Sequence, residues 1–177
     1  HFVGMSFSWK PYEAFYIPVA SEHHQGKGIP LKRVLEALRP ILEDPLRGKV
    51  GQNIKYDSTV MRRHGVHLGG VRFDTMIASY LVNPLKLNHN LDDIAFEYLG
   101  VKKITTKSLL ERDLPAGEAG RKKHLKSMDE VPLEKITEYA CEDADCVFRL
   151  TPLLRSKLAE QGLTELFETM ELPLSEV

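Results

Sequence analysis

The chain has 177 residues, 42% of them hydrophobic and 28% charged, with a formal net charge of −1. That suffices for one domain with its own core and excludes a disordered or fibrous class. No uncharged apolar run approaches the ~18–20 residues of a membrane-spanning helix, and no basic-then-apolar leader opens the sequence. Cys141 and Cys146, five apart, frame neither a disulfide scaffold nor a zinc site, so a reducing cytoplasm is expected. The sequence begins at His1 on an apolar strand-like run and reads as a piece cut from a longer chain.

Charge is unevenly spread. Residues 1–90 carry 12 Lys and Arg against 7 Asp and Glu, and residues 91–177 carry 12 against 18. A basic half beside an acidic half suits a site that grips a phosphate backbone with one surface and metal ions with another. Ordinary surface variation gives the same imbalance.

Residues 2–9 alternate with period two and residues 14–19 are a second β-rich run. Lys10-Pro11-Tyr12-Glu13 supplies a turn between them, so an antiparallel hairpin is expected. A loop follows over 21–30. Leu31, Val34, Leu35, Leu38, Ile41 and Leu42 keep helical spacing, with Pro30 acceptable in the first turn. A short strand over 48–51 leads through Gln52 and Asn53 into a helix from Ile54 to a capping Gly65. Residues 71–74 form another strand, and Thr75 can cap a helix that Pro84 stops. Asn90 caps a further helix closed by Gly100. Residues 102–131, with the basic run Arg121–Lys126, are expected to form a loop with short helices. That run can steer an anionic strand or simply be a solvated face. Pro132 opens the longest helical pattern, which Pro152 should kink or end. A last amphipathic stretch runs from Leu163 to Leu172. This order of elements gives an α/β fold with a mixed sheet.

Two constellations carry chemistry. In Gly51-Gln-Asn-Ile-Lys-Tyr-Asp57 a strand ends at glycine and a carboxylate follows one helical turn later. In open α/β sheets that junction faces the ligand crevice, and Asp57 there can coordinate a hard cation. Asn53 can cap the helix or bond a nucleic-acid strand; the plainer reading is a capping Asn before a solvent-facing Asp. In Tyr139-Ala-Cys-Glu-Asp143 a phenol and a carboxylate four apart share one helix face, so Asp143 can hold an ion while Tyr139 orients water. Glu142, Asp143 and Asp145 crowd three carboxylates into one turn, which is repulsive unless cations or solvent relieve it. The plainer reading is an exposed acidic face with Tyr139 packed into the core.

These segments, with Phe73-Asp74-Thr75-Met76 between them, resemble the 3′→5′ exonuclease domain of bacterial DNA polymerase I, the family A polymerases. The similarity runs in order over nearly the whole chain and includes Ile17-Pro-Val19, Leu91-Asp-Asp-Ile-Ala95 and Phe167 to Leu174. It implies a ribonuclease H-like mixed sheet flanked by helices, with the first central strand outside this chain. Residues 1–162 would be the exonuclease-like domain and 163–177 the start of the link into a polymerase domain. The resemblance assigns Asp57 and Asp143 as metal ligands and Tyr139 as the water-orienting hydroxyl. Gln52, Asn53, Tyr56, Asn88 and His89 would lie on the DNA strand side. It further implies two Mg2+ ions, which Mn2+ can replace, and hydrolysis of terminal phosphodiesters at a single-stranded DNA 3′ end. The implied partner is a polymerase domain of the same parent chain, in a monomer of the bacterial cytoplasm and nucleoid.

There are two departures. The family's first motif, Asp-x-Glu on a strand ahead of the hairpin, is missing from this sequence, which starts after the place it would occupy, so the fragment alone is expected to be a poor enzyme. Some members also carry an arginine where Asn88 and His89 stand. A catalytically inactive domain that props up the polymerase is the first alternative, and an Asp-x-Glu upstream would decide against it. A ribonuclease D-like RNA 3′ exonuclease is the second, separable by comparing DNA and RNA ends.

Overall fold

A computed structural model of the protein describes residues 2–20, 27–112, 123–124 and 127–175. The alternating N-terminal residues pair as expected: β1 (Gly4–Lys10) and β2 (Glu13–Pro18) run antiparallel, with Met5 opposite Ile17 and Phe7 opposite Phe15. At the hairpin tip Tyr12 takes a left-handed φ of 63°, and its N–H donates to Asp145 Oδ1 at 2.6 Å. Helix α1 (Leu31–Leu42) turns Val34, Leu35 and Leu42 toward the hairpin, where they bury with Met5, Val19 and Val66.

Strand β3 (Lys49–Gly51) pairs in parallel with β4 (Val71–Asp74), and α2 (Ile54–Arg63) is the crossover that a parallel pair requires. Helices α3 (Thr75–Val82), α4 (Leu91–Leu99) and α5 (Thr106–Leu110) follow. Gly100, at φ 67°, closes α4 as a left-handed cap. Backbone pairs β5 (Glu111–Arg112) with β6 (Lys123–His124). Among the described residues the strands thus form antiparallel and parallel pairs that do not hydrogen-bond to one another. The rest of the basic run, at 121–122 and 125–126, lies outside the described residues.

Helix α6 (Leu133–Glu160) spans 28 residues without ending at Pro152. Pro152 is exposed, so water can serve the carbonyl its ring leaves unpaired, while Leu150, Leu154 and Leu158 stay buried on the opposite face. Continuous core contact outweighs the loss of one backbone bond. The main core joins Phe73 of β4, Ala78 of α3, Ile94 of α4 and those three leucines. Residues 164–174 add a short helix, a π-helical turn over Phe167–Glu171 and a final turn. Phe167, 1% exposed, lies 4.8 Å from Phe73 between ring centroids, so the C-terminal stretch helps close this core.

Candidate active site

The corner where β3 hands over to α2 is organised by Asp74, the last residue of β4, which is 1% exposed. Two helices starting side by side at the ends of two parallel strands bring their unpaired N–H groups together. Asp74 Oδ1 accepts from Asn53 N at 3.1 Å, Met76 N at 2.8 Å and Ile77 N at 3.3 Å, and Oδ2 accepts from Ile54 N at 2.7 Å. One carboxylate therefore caps both α2 and α3. Thr75, expected as the cap, is the first helical residue instead. Its hydroxyl shares one hydrogen between Gly51 O at 3.2 Å and Gln52 Oε1. Asn53 makes no side-chain cap to α2; it adopts φ 56°, ψ 48°, a conformation Asn tolerates better than most residues. Gly51 lets Ile54 fold back over the strand end, since a Cβ there would sit 3.0 Å from Ile54 Cδ1.

Gln52 Nε2 donates to the His89 carbonyl at 2.8 Å, and His89 Nδ1 lies 2.9 Å from Ser79 Oγ. The structure thus joins Gln52, Thr75 and His89 in one network beside the corner. Asn53, Tyr56 and Asn88 are exposed around it. Asp57 is one turn further along α2. Water reaches it, yet neighbouring protein removes enough hydration, with the charge of Asp74 adding to this, to push its carboxyl up to about 6. A desolvated carboxylate beside a like charge favours an added cation.

The second constellation lies on α6. Tyr139 and Asp143 occupy one face and interact through their side chains, and Tyr139 Oη is 3.0 Å from Thr106 Oγ1. Burial and then the charge of Asp143 raise the phenol, so it stays protonated at neutral pH. Asp143 Oδ1 is bonded by the ammonium of Lys103, a residue the sequence reading passed over as part of a polar loop. The Lys103 side chain is 1% exposed, with Asp92 at 3.6 Å, Glu142 at 3.8 Å and the Tyr139 ring centroid at 5.3 Å. Burial alone would lower Lys103, but Asp143, Asp92 and Glu142 together hold it above its ordinary value. Asp143 itself is raised, because the hydration it loses exceeds what one ammonium returns.

The crowding of three carboxylates is relieved by the protein's own groups. Glu142 Oε2 accepts from Ile104 N at 2.8 Å. Asp145 accepts from Tyr12 N and pairs with Arg149 at 3.0 Å, whose guanidinium lies 4.3 Å from the Tyr12 ring. Three crowded carboxylates were the signal for a buried cation, but nothing local said which lysine supplies it.

The two constellations meet at the level of elements, since β3 packs against α6. Their side chains have separate partners: Asp57 feels Asp74, and Asp143 feels Lys103, Tyr139 and Asp92. Among the described residues no group of three or more His, Cys, Asp or Glu side chains is arranged to hold a metal ion by itself. For the Mg2+ that the resemblance implies, Asp57 fits as a ligand in need of a cation. Asp143 fits in donor type, but an ion there must share or replace the Lys103 ammonium.

Solved structures share this fold. The POL domain of Pol1 from M. smegmatis, in complex with DNA primer-template and dNTP, matches with a TM-score of 0.66 at 23% identity, over 92% of this chain and 22% of that one. Brucella melitensis NrnC matches with a TM-score of 0.63 at 23% identity, over 92% and 69%. The α/β fold of this chain is accordingly the one these structures have. In sequence, residues 1–159 match the 3′-5′ exonuclease family of the DNA polymerase A type. The chain is 37% identical to DNA polymerase I of Pseudomonas aeruginosa over 97% of its own length and 18% of that protein's. To DNA polymerase I of Synechocystis it is 34% identical, over 99% and 17%. The chain belongs to this 3′-5′ exonuclease family and spans under a fifth of the length of the curated relatives it matches.

Proposed function

We propose that this domain trims the single-stranded 3′ end of DNA within a DNA polymerase I, acting as its proofreading exonuclease. The observation that carries this reading is the Tyr139–Asp143 pair, a phenol one helical turn from a carboxylate on one face of α6, with its hydroxyl 3.0 Å from Thr106 Oγ1. Asp57 and Asp143 are the residues that would hold Mg2+, with Mn2+ as a substitute. Bound there, the metal would activate water and stabilise the departing 3′ oxygen. Tyr139, fixed by Thr106, keeps a hydroxyl in position to orient water at Asp143. Tyr56, Asn53 and Asn88 offer an exposed phenol and amides to the strand, while Gln52 and His89 stiffen the surface between them.

A single strand in a monomeric bacterial polymerase is the substrate and setting that fit. Asp57→Asn and Asp143→Asn, placed separately in the polymerase that carries this domain, are expected to lower release of nucleotides from a 3′-labelled single-stranded DNA by about 10²–10³-fold or more. DNA synthesis should be unchanged. Release that survives both substitutions refutes the reading, and faster release from an RNA end would move it to an RNA exonuclease. One observation favours a second reading, a silent scaffold: the protein's own lysine neutralises Asp143. In that case neither substitution alters trimming, because the unsubstituted domain does none.

A further inference from the structure

Lys103 is the one buried lysine among the described residues, and it lies against the very oxygen expected to hold metal. An ammonium without partners in such a place is strongly disfavoured, so its position is set by what surrounds it. Three carboxylates from two helices converge on it: Asp92 in the first turn of α4, and Glu142 and Asp143 on α6. The segment that bears it is pinned by Ile104 N–H donating to Glu142. The side chain also passes beside the Tyr139 ring, so one ammonium touches both groups to which the proposed reaction assigns roles.

We propose that Lys103 is a positioning residue and resident counter-ion of the third motif: it holds Asp143 in place, and it cedes that carboxylate when a divalent ion arrives. This rests on the reading of Asp143 as a metal ligand. A cation at bonding distance from Asp143 Oδ1 and the Lys103 ammonium cannot share that oxygen without strong repulsion between like charges. Displacement moves the lysine outward: Asp92, with a side chain 39% exposed against 28% for Asp143, already lies 3.6 Å away and draws the ammonium toward water once Asp143 is given up. The exchange is then a short swing between carboxylates, and the number of positive charges near Asp143 is regulated by the protein itself.

The test uses Mn2+ as the probe. Its binding to the folded protein is read by electron paramagnetic resonance, with folding checked by circular dichroism. Lys103→Met removes the competing charge and should tighten Mn2+ binding at least about tenfold. Lys103→Arg, which keeps the charge, should not. Adding Asp143→Asn to Lys103→Met should abolish the gain. A second measurement needs no variant: peptide mass spectrometry of amine acylation in the unsubstituted protein. Buried Lys103 should label slowly and become at least about fivefold more reactive at saturating Mn2+, as expected for a group moved from a desolvated nest toward water. Its exposed neighbour Lys102 should label equally in both conditions. Unchanged or weaker Mn2+ binding in Lys103→Met overturns the proposal, and so does unchanged Lys103 labelling at saturating Mn2+. Neither measurement reads 3′-end hydrolysis. A domain that exchanges Lys103 but trims no DNA would therefore refute proofreading and leave this inference standing.

Discussion

The β3–α2 corner and the middle of α6 each carry one carboxylate of the proposed metal site, and different forces hold them. At the corner the organising bonds come from the backbone: four N–H groups converge on buried Asp74 and fix where α2 begins. Asp57, one turn on, has a like charge for a neighbour and a carboxyl raised to about 6. On α6 the organising bonds are between side chains, with Lys103 central to Asp92, Glu142 and Asp143. The corner is a frame of backbone bonds in which, among the described residues, no cationic side chain pairs with Asp57. The helix face is an exchangeable arrangement that already contains one. A divalent ion should accordingly meet less competition at Asp57 than at Asp143.

That contrast can be broken most severely at Asp74. Asp74→Ala strands four donors, one buried and three half-buried, and the expected loss is about 3 kcal/mol or more, read as a lower urea midpoint. A loss under about 1 kcal/mol would mean the corner is not held by this carboxylate.

A smaller effect, of opposite sign, is expected at Asp57. Its folded pKa of about 6 exceeds the ordinary 3.8, so the folded state binds the proton more tightly than the unfolded chain does. The contribution of Asp57 to stability is therefore complete below pH 3.8 and declines as pH rises through about 6. Asp57→Asn should be more stable than the unsubstituted chain by about 1 kcal/mol at pH 8, a figure reduced for the exposure of this residue. The difference should vanish at about pH 4, as thermal melts across pH would record.

The smallest change belongs to Tyr139→Phe. Loss of the hydroxyl bond to Thr106 should cost about 0.5–1 kcal/mol. Mn2+ affinity should not change, while the rate of 3′-end trimming falls. Altered metal binding in this variant would show that the phenol contributes to holding the ion rather than to orienting water.

Local spacing carried much of this protein into view. Alternation set β1 and β2, helical periodicity set α1 and α4, and a four-residue offset put Tyr139 and Asp143 on one face of α6, because such patterns need only a few neighbouring residues. Asp57 was legible for the same reason, as a carboxylate one turn beyond a strand-ending glycine. Other features were decided only when distant segments packed. Lys102 and Lys103 are adjacent and chemically identical in the sequence, yet one is exposed and the other is buried against Asp143, 40 residues away. Asp74 stood in the sequence only as the last residue of a short strand, and its capping role came from two helix starts meeting over it. Pro152 read as a kink or an end, and continuous burial of Leu150, Leu154 and Leu158 carried α6 past it. Periodicity is written in the dihedral geometry of a short stretch. Which charge is desolvated, and by whom it is neutralised, depends on contacts between segments that only the folded chain brings together.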